Sequence, residues 1–373
     1  MSKNLKTPFR YDVVGSFLRP EYLIQARKQF EKNEITAQNL KELEDKAIID
    51  LINNQKKAGL QVITDGEFRR KSWHLDFMWQ LNGVERIELS HGYYFNGLET
   101  YPTSIKIVGK ITGENHPFVE HFKFVKQFED KNVVAKQTIP APAQMLSELF
   151  RKDNIENTQK MYPNLDDLIT DIANAYKTVI KELYDAGCRN IQLDDCTWGM
   201  IVDVNYWTKK VGTNVKVDSE AEKYLRINNL AIADKPDDLV ITTHVCRGNY
   251  QSAFAATGPY DRIASFLFPK ENVDAFYLEY DDERSGNFEA LKQVPKDKKV
   301  VLGLITTKKA ALEDKEKIKA RIYEAAKIVP LENLYLSPQC GFSSNEIGNK
   351  LTEEEQWAKV ALVKEIAEEV WTN

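Results

Sequence analysis

Residues 239–248, Leu-Val-Ile-Thr-Thr-His-Val-Cys-Arg-Gly, are a short apolar run that ends in a histidine and a cysteine two positions apart. The length and β-branched content of its first half suit a buried strand. In a strand, residues i and i+2 face the same way, so the His244 imidazole and the Cys246 thiol look at one point. That is half of a metal site. Imidazole and thiolate are preferred zinc ligands, but a working zinc needs a third protein ligand and an exchangeable fourth position. Taken alone, a His-x-Cys at a strand end is more often a buried thiol beside a hydrogen-bonded imidazole, so its neighbours decide.

Outward from this stretch the chain alternates strand-like and helix-like segments. Upstream strands are expected at 11–17, 61–64, 133–138 and 190–193, and downstream ones at 275–278, 299–304 and 334–336. Between them run amphipathic helices, one carrying Leu40, Leu43, Ala47, Ile48, Leu51 and Ile52 and stopping at Gly59, another over 165–186 stopping at Gly187. Eight strand-helix units in one α/β chain predict a (β/α)8 TIM barrel, with a doubly wound sheet as runner-up. The alternation breaks at about 83–131, which reads as an insertion after the second strand. Residues 1–373 are then a single barrel with that inserted subregion.

A barrel gathers its strand ends at one mouth, where reactive groups collect. Glu279 ends the sixth strand, and Cys340 follows the eighth in Ser337-Pro338-Gln339-Cys340-Gly341. With His244 and Cys246 they form a four-ligand zinc set. The plainer alternatives are an ion pair between Glu279 and Arg284 and a small buried residue at Cys340. Two thiolates would make the zinc electron-rich and leave a bound substrate thiolate nucleophilic, which suits attack on carbon better than activation of water.

Composition narrows the partners. The 373 residues are 42% hydrophobic and 29% charged, ordinary for a globular protein with a large core. Lys+Arg (51) and Asp+Glu (56) are interspersed, giving net charge -5 and no basic block for nucleic acid or an anionic membrane. No apolar run reaches the ~18 residues a bilayer requires. The first residues lack the apolar centre of a signal peptide. Four cysteines (188, 196, 246, 340) do not make a disulfide framework, so a reducing, cytoplasmic compartment is expected.

The segments THVCRG, FYLEYDDERSG and LSPQCGFSS resemble the zinc-binding segments of the cobalamin-independent methionine synthase family, in its catalytic C-terminal barrel. VVGSF, TDGEFRR and IQLDD resemble the segments by which that family holds homocysteine. The resemblance runs over roughly residues 11–371 and points to a short, single-barrel branch. It implies zinc on His244, Cys246, Glu279 and Cys340, homocysteine held by Ser16, Glu67 and Asp194, and methyl transfer to the thiol to form methionine. Read from the residues, Glu67 and Asp194 suit a substrate ammonium and Ser16 a carboxylate. Ion pairs with Arg69 and Arg70, and a capping role for Ser16, are the structural alternatives.

The donor side departs from the family. Where a tryptophan follows its third strand this chain has Ile139-Pro140-Ala141-Pro142, and where a histidine follows its seventh strand it has Thr306-Thr307-Lys308. Free methyltetrahydropteroyl-triglutamate is therefore expected to be a poor donor. A methyl-corrinoid, a methylated sulfur compound, or folate delivered by a partner protein is expected to do better. A long loop of about 20 residues after the fourth strand is expected to carry Trp198 and Trp207 as stacking candidates. His74 follows a strand end near the mouth, with no catalytic role assigned, and His91, His116 and His121 read as surface positions. A catalytically silent zinc or amino-acid-binding barrel is the third possibility.

Overall fold

The computed structural model describes residues 5–211 and 216–371. Six parallel strands run side by side in sequence order: Gln137–Pro140, Asn190–Asp195, Val240–Val245, Ala275–Glu279, Lys299–Ile305 and Leu334–Pro338. All but the first residue of the fifth of these are buried, as expected of parallel strands covered on both faces. The second barrel strand, Val62–Ile63, pairs in parallel with Val134–Ala135, which leads into Gln137–Pro140. Closure falls to residues 11–17. This segment is not the regular strand expected; it bridges Leu336 through Tyr11 and Gly66 through Ser16. Gly15 interrupts it at φ +140, and a Cβ there would lie 2.7 Å from the Thr138 side chain. The Asp12 N–H bonds Leu336 O (3.0 Å) and the Phe17 N–H bonds Gly66 O (3.2 Å), which joins the eighth strand to the second and completes a (β/α)8 barrel.

Helices end where the sequence places its stops. Ala37–Lys57 opens on a Thr36/Asn39 capping box and gives way to Gly59, and Leu165–Asp185 gives way to Gly187. The latter buries Leu168, Ile172, Tyr176, Val179, Ile180 and Leu183 against the barrel wall. The last helix, Glu353–Trp371, has reciprocal Thr352 and Glu355 bonds of 2.8 and 3.2 Å. Glu21–Glu31 is an additional helix. Among the described residues, no helix is long and apolar enough to cross a membrane.

Between the second and third strands lie a hairpin of Asn82–Glu88 with Thr103–Thr112, a smaller one of Tyr94–Phe95 with Leu98–Glu99, and helix Phe118–Lys126. Two expectations are corrected nearby. His116 is in the core, bonded to Phe77 O at 3.0 Å, and burial lowers its pKa to about 4. The stretch after the fourth strand is helical, as Thr197–Val202 and Val204–Val211, and the first of these buries its apolar residues where it packs on helix Val217–Ile232. Trp198 is fully buried edge-on to Tyr224 and does not reach the mouth. The Trp207 side chain lies outside the described residues.

Beneath the mouth the barrel interior is partly polar. Lys136 has no exposed side chain; its Nζ reaches Asp12 Oδ1 (3.1 Å) and Gln192 Oε1 (3.0 Å). Gln192 in turn donates to Asp194 Oδ1 at 2.7 Å, so this column orients a carboxylate at the mouth. Removing one member of such a buried pair typically costs about 3–5 kcal/mol.

Candidate active site

Strand register brings the chemistry together. His244 lies beside Asp194 on one side and Tyr277 on the other, and Glu279 is the last residue of its strand. Cys246 and Cys340 sit just past their strands and are buried. Ligand atoms of His244, Cys246, Glu279 and Cys340 all lie within 4.8 Å of one another. The two sulfurs are 3.7 Å apart, and the Gly248 N–H points at Cys246 Sγ from 3.3 Å.

Three observations test whether these residues fit a metal ion. Both ring nitrogens of His244 are buried without a hydrogen-bond partner, a costly state unless something else engages them. Neighbouring Cys196 together with burial holds the Cys246 thiol well above its ordinary pKa, and Cys246 and burial do the same for Cys340. Left to one another these thiols keep their protons, and a dication reverses that preference. Glu279 behaves differently. Burial raises its carboxyl, but Lys308, Arg284, His244 and the Arg247 N–H outweigh that and set it below its ordinary value. Both carboxylate oxygens have partners, Arg247 N at 3.0 Å and Arg284 Nη2 at 2.9 Å. The expected Glu279–Arg284 ion pair therefore coexists with the cluster. The set fits a borderline-soft divalent ion with nitrogen, sulfur and oxygen ligands.

The cluster opens on a cavity with about 1030 Å³ of empty space, partly open to solvent, whose walls also include Ser16, Glu67 and Asp194. Burial, opposed by Arg70 and reinforced by Asp194, pushes the Glu67 carboxyl up to about 7. Asp194 also rises to about 7 through burial, despite the Gln192 hydrogen bond. Glu67 Oε1 is 3.0 Å from Thr138 Oγ1 and 3.2 Å from Arg70 Nη1, while Oε2 is buried without a partner. The ion pair with Arg70 is thus real and leaves one oxygen for a ligand. Arg69 instead bonds Glu44 and Asp45.

Glu67 takes φ +63, a conformation that costs a non-glycine residue of order 1 kcal/mol. Asp65 Oδ1 on its N–H (2.8 Å) and buried Arg19 on its carbonyl (2.6 Å) hold it there. Arg19 also bonds Ser343 O (2.9 Å), tying the loop after the eighth strand to the same point. Nothing in the local sequence marks Arg19 for this task. Ser16 Oγ accepts the Ser343 N–H at 3.3 Å, and a Cβ at Gly341 would come within 1.9 Å of that oxygen. Glycine after Cys340 is what lets the metal-side loop and the Ser16 loop meet.

Lys308, in place of a histidine, donates to Asn249 Oδ1 at 2.9 Å and braces the loop after Cys246. His74 and Cys196 are the additions to the cavity wall that sequence reasoning left without a role.

Comparison with known proteins gives the family and the fold. The model of the cobalamin-independent synthase catalytic domain matches residues 9–369. Uncharacterized protein YxjH of Bacillus subtilis is 43% identical over 99% of this chain and 96% of its own. A methionine synthase of Saccharolobus solfataricus is 25% identical over 88% of this chain and 86% of its own. The crystal structure of a putative vitamin-B12 independent methionine synthase from Listeria monocytogenes superposes with TM-score 0.78 and 39% identity, covering 98% of this chain and 99% of that one. With its barrel and its cluster, the chain belongs to the cobalamin-independent methionine synthase family of methyltransferases and carries that family's catalytic domain.

Proposed function

We propose that the chain is a zinc-dependent methyltransferase that moves a methyl group to the thiol of homocysteine, forming methionine. The observation that carries this is the shared cavity: a His-Cys-Glu-Cys cluster at one end and, beside it, two buried carboxylates and a serine able to hold an amino acid.

His244, Cys246, Glu279 and Cys340 would hold the zinc, which when bound lowers the pKa of a substrate thiol and keeps it nucleophilic. Glu279 is the member suited to give way to that thiol, because Arg284 and the Arg247 N–H already share its charge. Glu67 and Asp194 take the substrate ammonium, with the free Glu67 Oε2 as its natural acceptor. Ser16 orients the carboxylate. The buried surroundings keep water from competing at the thiol. Four free cysteines fit a reducing, cytoplasmic setting, and donor delivery by a partner protein belongs to the same proposal.

The test is methionine formation from homocysteine by zinc-loaded protein across a donor panel of methylcobalamin, S-methylmethionine and 5-methyltetrahydropteroyl-triglutamate. Turnover with at least one donor supports the assignment. Tight homocysteine and zinc binding with no methyl transfer from any donor would leave a binding protein instead.

A further inference from the structure

One wall of the cavity belongs neither to the thiol cluster nor to the amino-acid pocket. His74 comes to it from the loop after the second strand, Tyr93 from the inserted segment, and Tyr206 from helix Val204–Val211. Behind this wall sits Glu148, on helix Pro142–Leu149, with no exposed surface. Glu148 gathers Arg151 Nη1 at 3.0 Å, the hydroxyls of Ser104 and Tyr93, and, 3.9 Å away, His74 Nε2. On its other side His74 Nδ1 is 3.1 Å from Ser72 Oγ. A serine hydroxyl can donate or accept, so the imidazole can carry one proton or two without changing partners. Asp76 accepts the N–H of Lys71 (3.1 Å) and Ser72 (2.8 Å) and fixes the loop that presents the ring.

Among the described residues, the titratable groups facing His74 include Glu148 and Tyr93, with Arg151 behind Glu148 balancing its charge. Tyr206 lines the same cavity. Burial raises its phenol, and Cys196 and Glu148 push the same way against Arg151. A histidine backed by a buried carboxylate and open to a reaction cavity is the arrangement of a general acid or base.

We propose that His74, oriented by Ser72 and backed by Glu148, gives a proton to the leaving atom of the methyl donor, whose methyl group therefore sits on a neutral basic heteroatom rather than an onium centre. This rests on the methyl-transfer function above. The substrate sulfur bonds to the methyl carbon, the carbon–heteroatom bond breaks with its electron pair on the heteroatom, and the imidazolium proton leaves Nδ1 through the Ser72 hydroxyl, which also lines the cavity and passes its own proton to that atom. The donor departs neutral and the imidazole is left neutral, to be reprotonated from solvent. A sulfonium leaves as a neutral sulfide and needs no such proton. The acid missing after the seventh strand thus enters from the second.

The experiment uses the zinc-loaded full chain with His74→Asn and His74→Gln. Asparagine is a good residue for the helix N-terminus that His74 occupies, which protects the fold. Methyl transfer to homocysteine is followed from 5-methyltetrahydropteroyl-triglutamate, S-methylmethionine and methyl iodide. With His74 as the acid, and against the expectation of a poor folate donor drawn from the sequence alone, the wild type should use the folate donor, with kcat falling at high pH as the acid loses its proton. Both variants should lose about 10² to 10⁴ in kcat with that donor and lose the pH limb, with KM little changed and methyl iodide alkylation retained. Equal losses with all three donors, or wild-type turnover of the sulfonium but not the folate, would overturn the proposal. No methylation even from methyl iodide would mark failure of the methyl-transfer function itself.

Discussion

The thiol end of the cavity and the wall opposite it are built in different ways. His244 and Glu279 lie within paired strands, and Cys246 and Cys340 sit one or two residues beyond strand ends, so the backbone ladder sets their spacing. The opposite wall takes His74 from a loop, Tyr93 from an insertion and Glu148 from a helix, joined through side-chain contacts. The rigid end is suited to chemistry common to a family and the assembled wall to the choice of donor. A fold can then change its donor by altering loops without disturbing the metal ligands.

The largest effect expected is at the rigid end. Cys246→Ser or Cys340→Ser should lose most of the zinc and bring methionine formation to background, a loss beyond about 10³-fold on the scale of other catalytic groups. Thermal unfolding should move by only a few degrees, because serine nearly keeps the volume that each cysteine fills at the edge of the buried cluster. Stoichiometric zinc in both variants, measured by metal analysis, would break the ligand assignment. His74→Asn is the matching lesion on the other wall and should be selective for donor.

Between the two regions lies the amino-acid pocket, where effects should be smaller. Glu67→Gln or Asp194→Asn removes a charge at nearly constant shape, and charge-assisted hydrogen bonds contribute about 1.5–3 kcal/mol. Homocysteine affinity, read by calorimetry, should drop about ten-fold or more. A thiol without an amino group, 3-mercaptopropionate, should bind wild type and variants alike. Unchanged homocysteine affinity in both variants would remove the pair from substrate binding.

The smallest effect is one of pH. With both carboxyls pushed up to about 7, the pair holds protons below that pH and must release one to receive an ammonium. Affinity for norleucine, which has the ammonium but no thiol, should therefore rise by up to about ten-fold per pH unit below 7 and level off above about 8. A flat profile from pH 5 to 9 would show that the pair does not meet the amino group.

What could be read from the sequence follows the same division. The barrel and the convergence of His244, Cys246, Glu279 and Cys340 were legible because strand periodicity and glycine helix stops are local signals. Residues 11–17 read as an ordinary strand because their apolar alternation is present, while the break at Gly15 depends on contact with Thr138. Trp198 read as a loop aromatic because its burial requires helix Val217–Ile232 to pack over it. The His74–Glu148 pair spans 74 residues of sequence, and no motif joins them; the only sequence signal was that His74 follows a strand end.

The most direct measurement for the central claim is zinc-edge X-ray absorption of the zinc-loaded protein before and after homocysteine. The account predicts two sulfur neighbours with one nitrogen and one oxygen at rest, then three sulfurs and loss of the Glu279 oxygen when homocysteine binds. A coordination shell that gains no sulfur at saturating homocysteine would contradict it.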